Sequence, residues 1–201
     1  MSVTSHFEER YQQGDLPWDH ELPDENLIEL VTNTPLAPCR TLDIGCGLGD
    51  NVIWLAQQGF QVTGCDISPT AIEGAKARAE AVGVQCDLVA LDFLKEEVTG
   101  APFEFIVDRG CLHSVDAGEE REKFAYQVAV YLETGGLWLT LTGNADAPPS
   151  ATGPPRLTAR ELVKIVEPHF EILSLTAGHF GSDQAEPPPA WICLMRRRGQ
   201  A

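Results

Sequence analysis

Basic side chains are scarce in this chain of 201 residues, and their scarcity argues against several classes of partner. Fourteen Lys and Arg stand against 30 Asp and Glu, which gives a formal net charge of −16 at pH 7. Proteins that bind nucleic acids or anionic membranes need a surface of Lys and Arg that neutralises phosphate groups. We therefore expect a small-molecule partner, with no nucleic acid and no membrane.

Long apolar runs and paired cysteines are also missing. No apolar stretch approaches the length of a membrane span, and the first 30 residues are polar, without a basic segment followed by an apolar one. No Cys-x-x-Cys pair occurs, and most cysteines lie in apolar, strand-like runs where a free thiol behaves as a small hydrophobe. These absences predict a reducing compartment and a cytoplasmic protein. The six cysteines are Cys39, Cys46, Cys65, Cys86, Cys111 and Cys193.

The histidines lack the spacing of metal ligands. His169 follows a proline at the edge of a predicted strand, and His179 lies near a predicted loop. Neither is spaced from another His, Cys or acidic residue in the way that the ligands of a zinc site are. The sequence predicts no metal.

What the chain does contain is a glycine-rich segment followed by an acidic residue at a characteristic distance. Residues Thr41 to Asp50 are Thr-Leu-Asp-Ile-Gly-Cys-Gly-Leu-Gly-Asp, and Asp66 ends the next apolar run, at the interval of roughly 20 residues found in nucleotide-binding βαβ units. Glycines allow a sharp strand-to-helix turn and the close approach of a ligand, and a carboxylate after the second strand can accept both ribose hydroxyls. The pattern indicates an adenosine-bearing cofactor.

The spacing of the glycines favours one such cofactor over another. Gly45, Gly47 and Gly49 follow the pattern Gly-x-Gly-x-Gly, whereas a dinucleotide fingerprint is Gly-x-Gly-x-x-Gly. Asp50 is the predicted N-cap of the next helix, where its carboxylate would occupy the amide donors and repel a pyrophosphate. S-adenosylmethionine has no phosphate, and its sulfonium and ammonium suit an acidic neighbour such as Asp43. We therefore expect S-adenosylmethionine rather than NAD.

Apolar, β-branched runs alternate with helical patterns along the chain, which is typical of βαβ units and a parallel sheet. The last two predicted strands are joined by a loop rather than a helix, so they can pair as an antiparallel hairpin. We predict one domain with a doubly wound α/β fold of seven mostly parallel strands and an antiparallel C-terminal hairpin. The predicted strands are Arg40–Ile44, Gln61–Asp66, Gln85–Ala90, Phe103–Asp108, Gly136–Leu141, Phe170–Ala177 and Ala190–Met195. The predicted helices are Asn51–Gln58, Ser68–Ala81, Glu119–Leu132 and Thr158–Glu167, with an N-cap at Ser68 and a capping box at Thr158 and Glu161.

Five segments occur in an order that resembles class I S-adenosylmethionine-dependent methyltransferases, which have a Rossmann-like fold, over nearly the whole chain. The segment Asp43-x-Gly45-x-Gly47-x-Gly49 resembles their first motif, and Asp66 resembles their ribose-binding acid. Leu91-Asp92-Phe93 is similar to the acid-plus-apolar pair that holds the adenine. Phe105–Asp108 resembles the fourth strand, and Leu132–Leu137 resembles the turn into the fifth strand.

The N-terminal segment narrows the resemblance. Tyr11–Asp19 is similar to the Tyr-x-x-Gly-x-x-Pro-Trp-Asp segment of the thiopurine, halide/thiol and tellurite-resistance methyltransferase group. This resemblance implies that residues 1–35 form a leader helix and cofactor lid, and that residues 36–201 form the methyltransferase domain, the two making a single globular unit. It also implies that Tyr11 and Trp18 fold over the cofactor crevice. Alternatively, the two aromatic side chains anchor the leader on the core.

The predicted cofactor site combines the residues of these motifs with their immediate neighbours. Phe93 has a second interpretation, because a phenylalanine at this position can also be an ordinary core residue. The predicted cofactor-binding residues are Tyr11, Trp18, Asp43, Gly45, Cys46, Gly47, Asp66, Ile67, Asp92, Phe93 and Asp108.

Two residues after the fourth predicted strand are candidates for catalysis, because the carboxyl edge of that strand faces the expected methyl group. His113 is the candidate general base, since its unperturbed pKa lies near physiological pH; alternatively, it is a helix-start histidine bonded to a carbonyl. Arg109 can hold an anionic acceptor through its fork of donors. Alternatively, Arg109 pairs with Asp108 or Asp92, and we favour this pairing.

Together these features predict an S-adenosylmethionine-dependent methyltransferase that transfers a methyl group to a small-molecule acceptor by in-line displacement. A binding module for the same cofactor without transferase activity is the alternative. A nicotinamide oxidoreductase is disfavoured by Asp50 and by the terminal hairpin. The sequence leaves open whether the acceptor atom is sulfur, oxygen, nitrogen or a halide, and it leaves open the oligomeric state.

Overall fold

The computed structural model describes residues 3–34, 36–148 and 155–199, and helices alternate with strands through most of this length. The helices are α1 (Val3–Gln13), α2 (Glu25–Asn33), α3 (Asp50–Gln57), α4 (Pro69–Ala81), α5 (Cys111–Ser114), α6 (Glu119–Tyr131) and α7 (Ala159–Val166). The strands are β1 (Arg40–Ile44), β2 (Gln61–Asp66), β3 (Asp87–Ala90), β4 (Phe103–Arg109), β5 (Leu132–Asn144), β6 (Arg156–Leu157), β7 (Phe170–His179) and β8 (Pro189–Arg197).

The strands form one sheet in the order β3-β2-β1-β4-β5-β8-β7, with β6 paired to β5 outside this path. Strands β1 to β5 are parallel along this path, whereas β8 runs antiparallel to both β5 and β7. The predicted doubly wound fold with an antiparallel C-terminal hairpin is therefore confirmed. The short strand β6, which the sequence did not predict, adds an eighth strand to the predicted seven.

Both faces of the sheet are covered by helices. On β4, Ile106 belongs to one buried cluster, while Phe105 and Val107 belong to another, as expected for side chains that alternate between the faces of a strand. The first cluster contains apolar residues of α6 and α7, and the second contains those of α2 and α3. Burial of β4 on both faces explains its almost continuous apolar sequence.

Two helix starts follow the predicted capping chemistry. The Ser68 hydroxyl accepts the backbone N–H of Ala71, and Pro69 is the first residue of α4. Thr158 and Glu161 form the predicted capping box of α7. These local signals lie within a few residues of one another in the sequence, so they are visible without the fold.

The start of α3 differs from the prediction. Its N-cap is Gly49, with a φ of 89°, and the predicted N-cap Asp50 is instead the first helical residue. A left-handed residue is needed where the chain enters α3, and a Cβ at Gly49 would lie 3.1 Å from the Cβ of Ala75. The carboxylate of Asp50 accepts a 2.8 Å hydrogen bond from Arg78 instead of capping the helix.

The bounds of β5 also differ from the prediction. The strand extends over Leu132–Asn144 rather than Gly136–Leu141, because its pairing with β4 begins at Leu132 opposite Phe103. The segment predicted as a turn before the strand lies within β5. It contains a shift in register between the pair Phe103–Leu132 and the pair Phe105–Leu137. The proline-rich sequence of residues 145–155, which follow β5, predicts a wall of the substrate site or, alternatively, a stiff surface connector. Residues 149–154 of this loop lie outside the described residues.

Candidate active site

The glycine turn between β1 and α3 is held in a conformation that side chains would disturb. Gly45 and Gly47 have φ angles of +70° and +56°. A Cβ on Gly45 would lie 3.1 Å from the sulfur of Cys111, and a Cβ on Gly47 would lie 2.9 Å from the hydroxyl of Tyr11. The backbone N–H groups of Gly45 and Cys46 both donate to the carbonyl of Cys65, at 2.8 and 3.0 Å. The turn is therefore fixed against the end of β2.

Asp66 links the end of β2 to this turn. One carboxylate oxygen accepts the backbone N–H of Gly47 and the other accepts the backbone N–H of Ser68, both at 2.9 Å. The side chain is largely buried, and burial raises its pKa, while these amide bonds lower it. Each oxygen keeps lone pairs beyond the bond it accepts, so the carboxylate can receive further donors such as two vicinal hydroxyls. Ile67 follows Asp66 and is partly exposed.

Asp43 is a buried carboxyl group with an unsatisfied oxygen. It lies on β1 with 1% of its surface exposed, and its Oδ2 has no hydrogen-bond partner among the described residues. Burial, with help from nearby Asp108 and Asp66, raises its pKa to about 8. An unpaired buried oxygen is unfavourable unless a donor or cation reaches it. The group therefore fits a ligand that carries an ammonium or a sulfonium.

Asp108 at the end of β4 makes bonds within the fold. One oxygen accepts the N–H groups of Cys111 and Leu112 at the start of α5, and the other accepts the indole N–H of Trp138 at 3.0 Å. Burial raises its pKa to about 6 against the opposing effect of these bonds. These contacts explain its position after β4 without a ligand.

Asp92 and Phe93 follow β3. The Asp92 carboxylate accepts the backbone N–H of Leu94 and pairs with Lys95 at 2.8 Å. The ring of Phe93 is buried, with ring centroids 5.0 Å from Phe124 and 5.7 Å from Tyr131. These contacts are those of a core phenylalanine, which was the second interpretation of this residue.

The N-terminal helix α1 is bonded to the start of α4. The carboxylate of Glu8 accepts the hydroxyls of Ser68 and Thr70, at 2.5 and 2.6 Å. One turn further along α1, the hydroxyl of Tyr11 lies over Gly47 and accepts the indole N–H of Trp18 at 3.1 Å. The structure thus brings Tyr11 to the glycine turn, with Trp18 bonded to Tyr11.

Arg109 is bonded to the segments that cover the sheet edge. Its Nε donates to Asp24 at 2.7 Å, and its two terminal nitrogens donate to the carbonyls of Trp18 at 3.1 Å and Gly181 at 2.6 Å. The favoured pairing with Asp108 or Asp92 is therefore wrong, because the partner is Asp24, 85 positions away in the sequence. Each nitrogen of the guanidinium already donates a hydrogen bond within the protein.

His113 is a buried residue of α5. Its Nδ1 accepts the backbone N–H of Gly143 at 2.8 Å, so the proton of the neutral ring resides on Nε2. Burial, with nearby Arg121 and Arg109, lowers its pKa to about 3. A ring with this pKa and without a free lone pair is a weak proton acceptor. The side chain of His113 is bonded to the backbone, but its partner is the N–H of Gly143 and not the carbonyl that its alternative interpretation predicted.

Several residues of this region were not singled out from the sequence. Asp24 is the N-cap of α2 and accepts the N–H of Asn26. An acidic residue before a helical pattern is a local signal, so this N-cap could have been predicted from the sequence. Arg78 joins Asp19 of the leader to Asp50 of α3, at 2.9 and 2.8 Å. No sequence signal relates these three residues, because their positions meet only in the folded chain.

Surface grooves and metal-ligand clusters do not point to another site. A groove of about 520 Å³ lies between α6 and α7 and is lined in part by Lys164 and His169. No residue of the glycine turn lines this groove. Within residues 3–34, 36–148 and 155–199, no group of three His, Cys, Asp or Glu side chains is arranged to hold a metal ion. Nor is any helix in these ranges long and apolar enough to cross a membrane.

The sheet order, the glycine turn, the acid at the end of β2 and the unsatisfied Asp43 are those of a class I S-adenosylmethionine-dependent methyltransferase. The family model for thiopurine S-methyltransferase (TPMT) matches residues 3–187. The chain belongs to this family, and the protein is an S-adenosylmethionine-dependent methyltransferase.

Individual relatives agree with this assignment. The chain is 27% identical over 158 residues to 2-heptyl-1-hydroxyquinolin-4(1H)-one methyltransferase of Mycobacteroides abscessus, covering 78% of this chain and 69% of that protein. It is 29% identical over 175 residues to probable thiol methyltransferase 2 of Arabidopsis thaliana, covering 84% and 75%. Its fold is similar to that of 1,6-didemethyltoxoflavin-N1-methyltransferase of Burkholderia thailandensis, solved with S-adenosylhomocysteine, with a TM-score of 0.78, 20% identity and coverage of 98% and 88%.

Proposed function

We propose that the methyl acceptor is a small organic thiol that reacts without a general base from the protein. The observation that carries this proposal is the bond from the N–H of Gly143 to Nδ1 of His113, together with the pKa of about 3 of that ring. At neutral pH the only sequence-predicted base is thus uncharged and has its acceptor nitrogen occupied. The other sequence-predicted catalytic residue, Arg109, stays protonated and accepts no proton.

The chemistry of the acceptor follows from the lack of a base. The cofactor supplies a methyl group on a sulfonium, which is already a leaving group. An alcohol or an ammonium must lose a proton to react and needs a positioned acceptor for it, whereas a thiol ionises near neutral pH. The protein then has to align the acceptor with the methyl group and exclude water. The similarity to a probable thiol methyltransferase supports this acceptor class.

The cofactor would be held by the residues around the glycine turn. In this proposal Asp66 receives the ribose hydroxyls, and Asp43 faces the ammonium and sulfonium end through its unsatisfied Oδ2. Gly45 and Gly47 let the ligand approach the backbone. Asp92 receives the adenine amino group. The remaining proposed contacts are Tyr11, Trp18, Cys46, Ile67, Phe93 and Asp108.

Residues 1–35 would act as the lid of the cofactor site over the domain formed by residues 36–201. The bonds of Glu8 to the start of α4 and the position of Tyr11 over Gly47 support this role. A lid explains why a polar N-terminal segment carries large aromatic side chains at the turn. It would also exclude water from the displacement.

We further propose that the protein works in the cytoplasm and binds no nucleic acid. All six cysteines are free thiols, which suits a reducing compartment. The net charge of −16 opposes binding to polyphosphates. Alkylation of intact protein from cells, with mass spectrometry, should find the cysteines reduced, and a DNA or RNA titration at low salt should show no binding.

The acceptor proposal is tested with matched acceptors that differ only in the reacting atom. Release of S-adenosylhomocysteine is measured with thiophenol, phenol and aniline, and with chloride and iodide. We expect thiophenol to react with the highest kcat/KM, and the thiol pH-rate profile to follow the ionisation of the thiol. The variant His113→Asn should keep the shape of this profile, because an amide oxygen can still accept the N–H of Gly143. Faster reaction with phenol or aniline, or a profile that changes shape in His113→Asn, contradicts the proposal.

A further inference from the structure

Asp24 is the counter-ion of Arg109 on the acceptor side of the site. This side is the end of β4 and the segments that contact it, and Arg109 is the last residue of β4. The side chain of Asp24 is 1% exposed, and its Oδ2 accepts both Arg109 Nε at 2.7 Å and the N–H of Gly181 at 2.8 Å. Its Oδ1 accepts two donors from Asn26. The carboxylate is thus held in one orientation, with Arg109 as its counter-ion.

Arg109 is prevented from turning towards a ligand by its other contacts. Its terminal nitrogens donate to the carbonyls of Trp18 and Gly181, and the ring of Phe180 covers the guanidinium at 5.4 Å from the centroid. Breaking these contacts would leave Asp24 buried without its counter-ion, which is strongly unfavourable. Arg109 is therefore bound to the lid rather than available to an anion.

The other neighbours of this pair include aromatic and acidic groups, and the guanidinium of Arg121 donates to the carbonyls of His113 and Val115. Phe180 packs edge-on against the neutral ring of His113, with centroids 5.9 Å apart. Asp43 and Asp108 lie below, on β1 and β4, and both are buried. A carboxylate on the acceptor would meet these groups, whereas Arg109 and Arg121 already donate to groups of the protein.

We propose that Asp24 is a specificity-determining residue that neutralises Arg109, so that the site accepts uncharged organic molecules and rejects those with an ionised group besides the reacting atom. This inference deepens the proposed function and rests on its placement of the acceptor at the end of β4. It assigns Arg109 to positioning, since the residue joins the leader at Trp18 to the loop at Gly181.

The test compares acceptors that differ by one carboxylate. Values of kcat/KM are measured for thiophenol against 4-mercaptobenzoate, and for phenol against 4-hydroxybenzoate. In the wild-type protein we expect the neutral member of each pair to be favoured at least about 10-fold. Asp24→Asn keeps an N-cap residue of similar quality but frees the charge of Arg109, and should shift the ratio by about 10-fold or more towards the acidic member. Adding Arg109→Gln to Asp24→Asn should reverse this shift.

A control separates the role of Asp24 from a general loss of negative charge. Asp183→Asn removes one carboxylate from the same loop region, where the side chain is exposed and bonded to His20 rather than to Arg109. The acceptor ratio should not change in this variant. An equal shift in Asp183→Asn and Asp24→Asn would overturn the inference.

Binding without turnover distinguishes this inference from the proposed function. Calorimetry with protein loaded with S-adenosylhomocysteine should show benzoate binding to Asp24→Asn and not to the wild-type protein. If the thiols do not react but the phenols do, the acceptor proposal fails, while the charge inference is still measured. If Asp24→Asn does not fold, Arg109→Gln is used in its place. If this variant selectively loses benzoate binding or activity on the carboxylated acceptors, the inference is overturned. Preference of the wild-type protein for the carboxylated acceptors would also overturn it.

Discussion

The backbone N–H of Gly143 donates a 2.8 Å hydrogen bond to Nδ1 of His113, which joins the end of β5 to α5. This bond uses the one ring nitrogen that could accept a proton without a change of tautomer. The structural role of His113 therefore bears on which acceptors the enzyme can methylate. A histidine that fixes the backbone in this way is unsuited to collect protons from a substrate.

The first prediction is that His113 makes the protein sensitive to acid. Burial lowers the pKa of His113 to about 3, whereas the unfolded chain has a pKa near 6.5. The unfolded state thus binds more protons between these values, and the free energy of unfolding falls as the pH decreases from about 6.5. Between pH 7 and 4 this contribution is roughly 2–4 kcal/mol. In urea titrations, His113→Asn should lose less stability over this range than the wild-type protein; parallel pH curves would contradict the prediction.

The second prediction separates the ligand role of the glycine turn from backbone strain. Gly47 and Gly83 both have positive φ, but a Cβ on Gly47 would lie 2.9 Å from the hydroxyl of Tyr11, whereas a Cβ on Gly83 would meet nothing within 4 Å. Alanine at either position should destabilise the fold by about 1–2 kcal/mol. Only Gly47→Ala should also weaken S-adenosylmethionine binding, by about 10-fold or more. Calorimetry on both variants tests this, and equal affinities would make the turn purely structural.

Features that depend on residues close together in the sequence were predicted better than contacts between distant residues. The alternation of strands and helices, the terminal hairpin and the caps at Ser68 and Thr158 depend on neighbouring residues, and these predictions are confirmed. The start of α3 was placed one residue late because the propensity of Asp50 for an N-cap was weighed above the left-handed conformation of Gly49. Such errors at element ends are small and local.

The contacts on the acceptor side could not be predicted from the sequence. Arg109 was expected to pair with Asp108 or Asp92, but its partner is Asp24, which reaches it because the leader crosses the end of β4. The pKa of His113 likewise depends on burial and on Arg121, which the histidine type alone does not reveal. Residue type thus identified the cofactor motifs, while the charge state of the acceptor side required the fold.

The third prediction is that Asp43 is retained at the expense of stability. Burial raises the pKa of Asp43 to about 8, from 3.8 in the unfolded chain. The folded state therefore binds the extra proton, and the contribution of this group is complete below about pH 4 and is lost as the pH rises towards 8. The wild-type protein should therefore lose roughly 2–4 kcal/mol of unfolding free energy between pH 5 and 8 that Asp43→Asn does not lose.

The same variant should bind S-adenosylmethionine at least about 10-fold more weakly, because the ammonium and sulfonium lose a charged partner. Urea titrations of the cofactor-free protein at the two pH values and calorimetry at pH 8 test the two parts. The reference is Asp87→Asn, an exposed carboxylate on β3, which should change neither quantity. A variant with unchanged affinity would remove Asp43 from the cofactor site.

The last prediction is that the bond between Glu8 and the start of α4 holds the lid closed. Glu8 accepts the hydroxyls of Ser68 and Thr70, and these bonds lower its pKa, whereas the adjacent Glu9 is exposed. Glu8→Ala should therefore release α1, speed proteolysis of the leader and weaken S-adenosylmethionine binding several-fold, while Glu9→Ala removes the same charge and should do neither. Limited proteolysis with and without the cofactor, followed by calorimetry, measures both effects. If the two variants behave alike, or if Glu8→Ala frees the leader without loss of affinity, then the leader does not act as a lid.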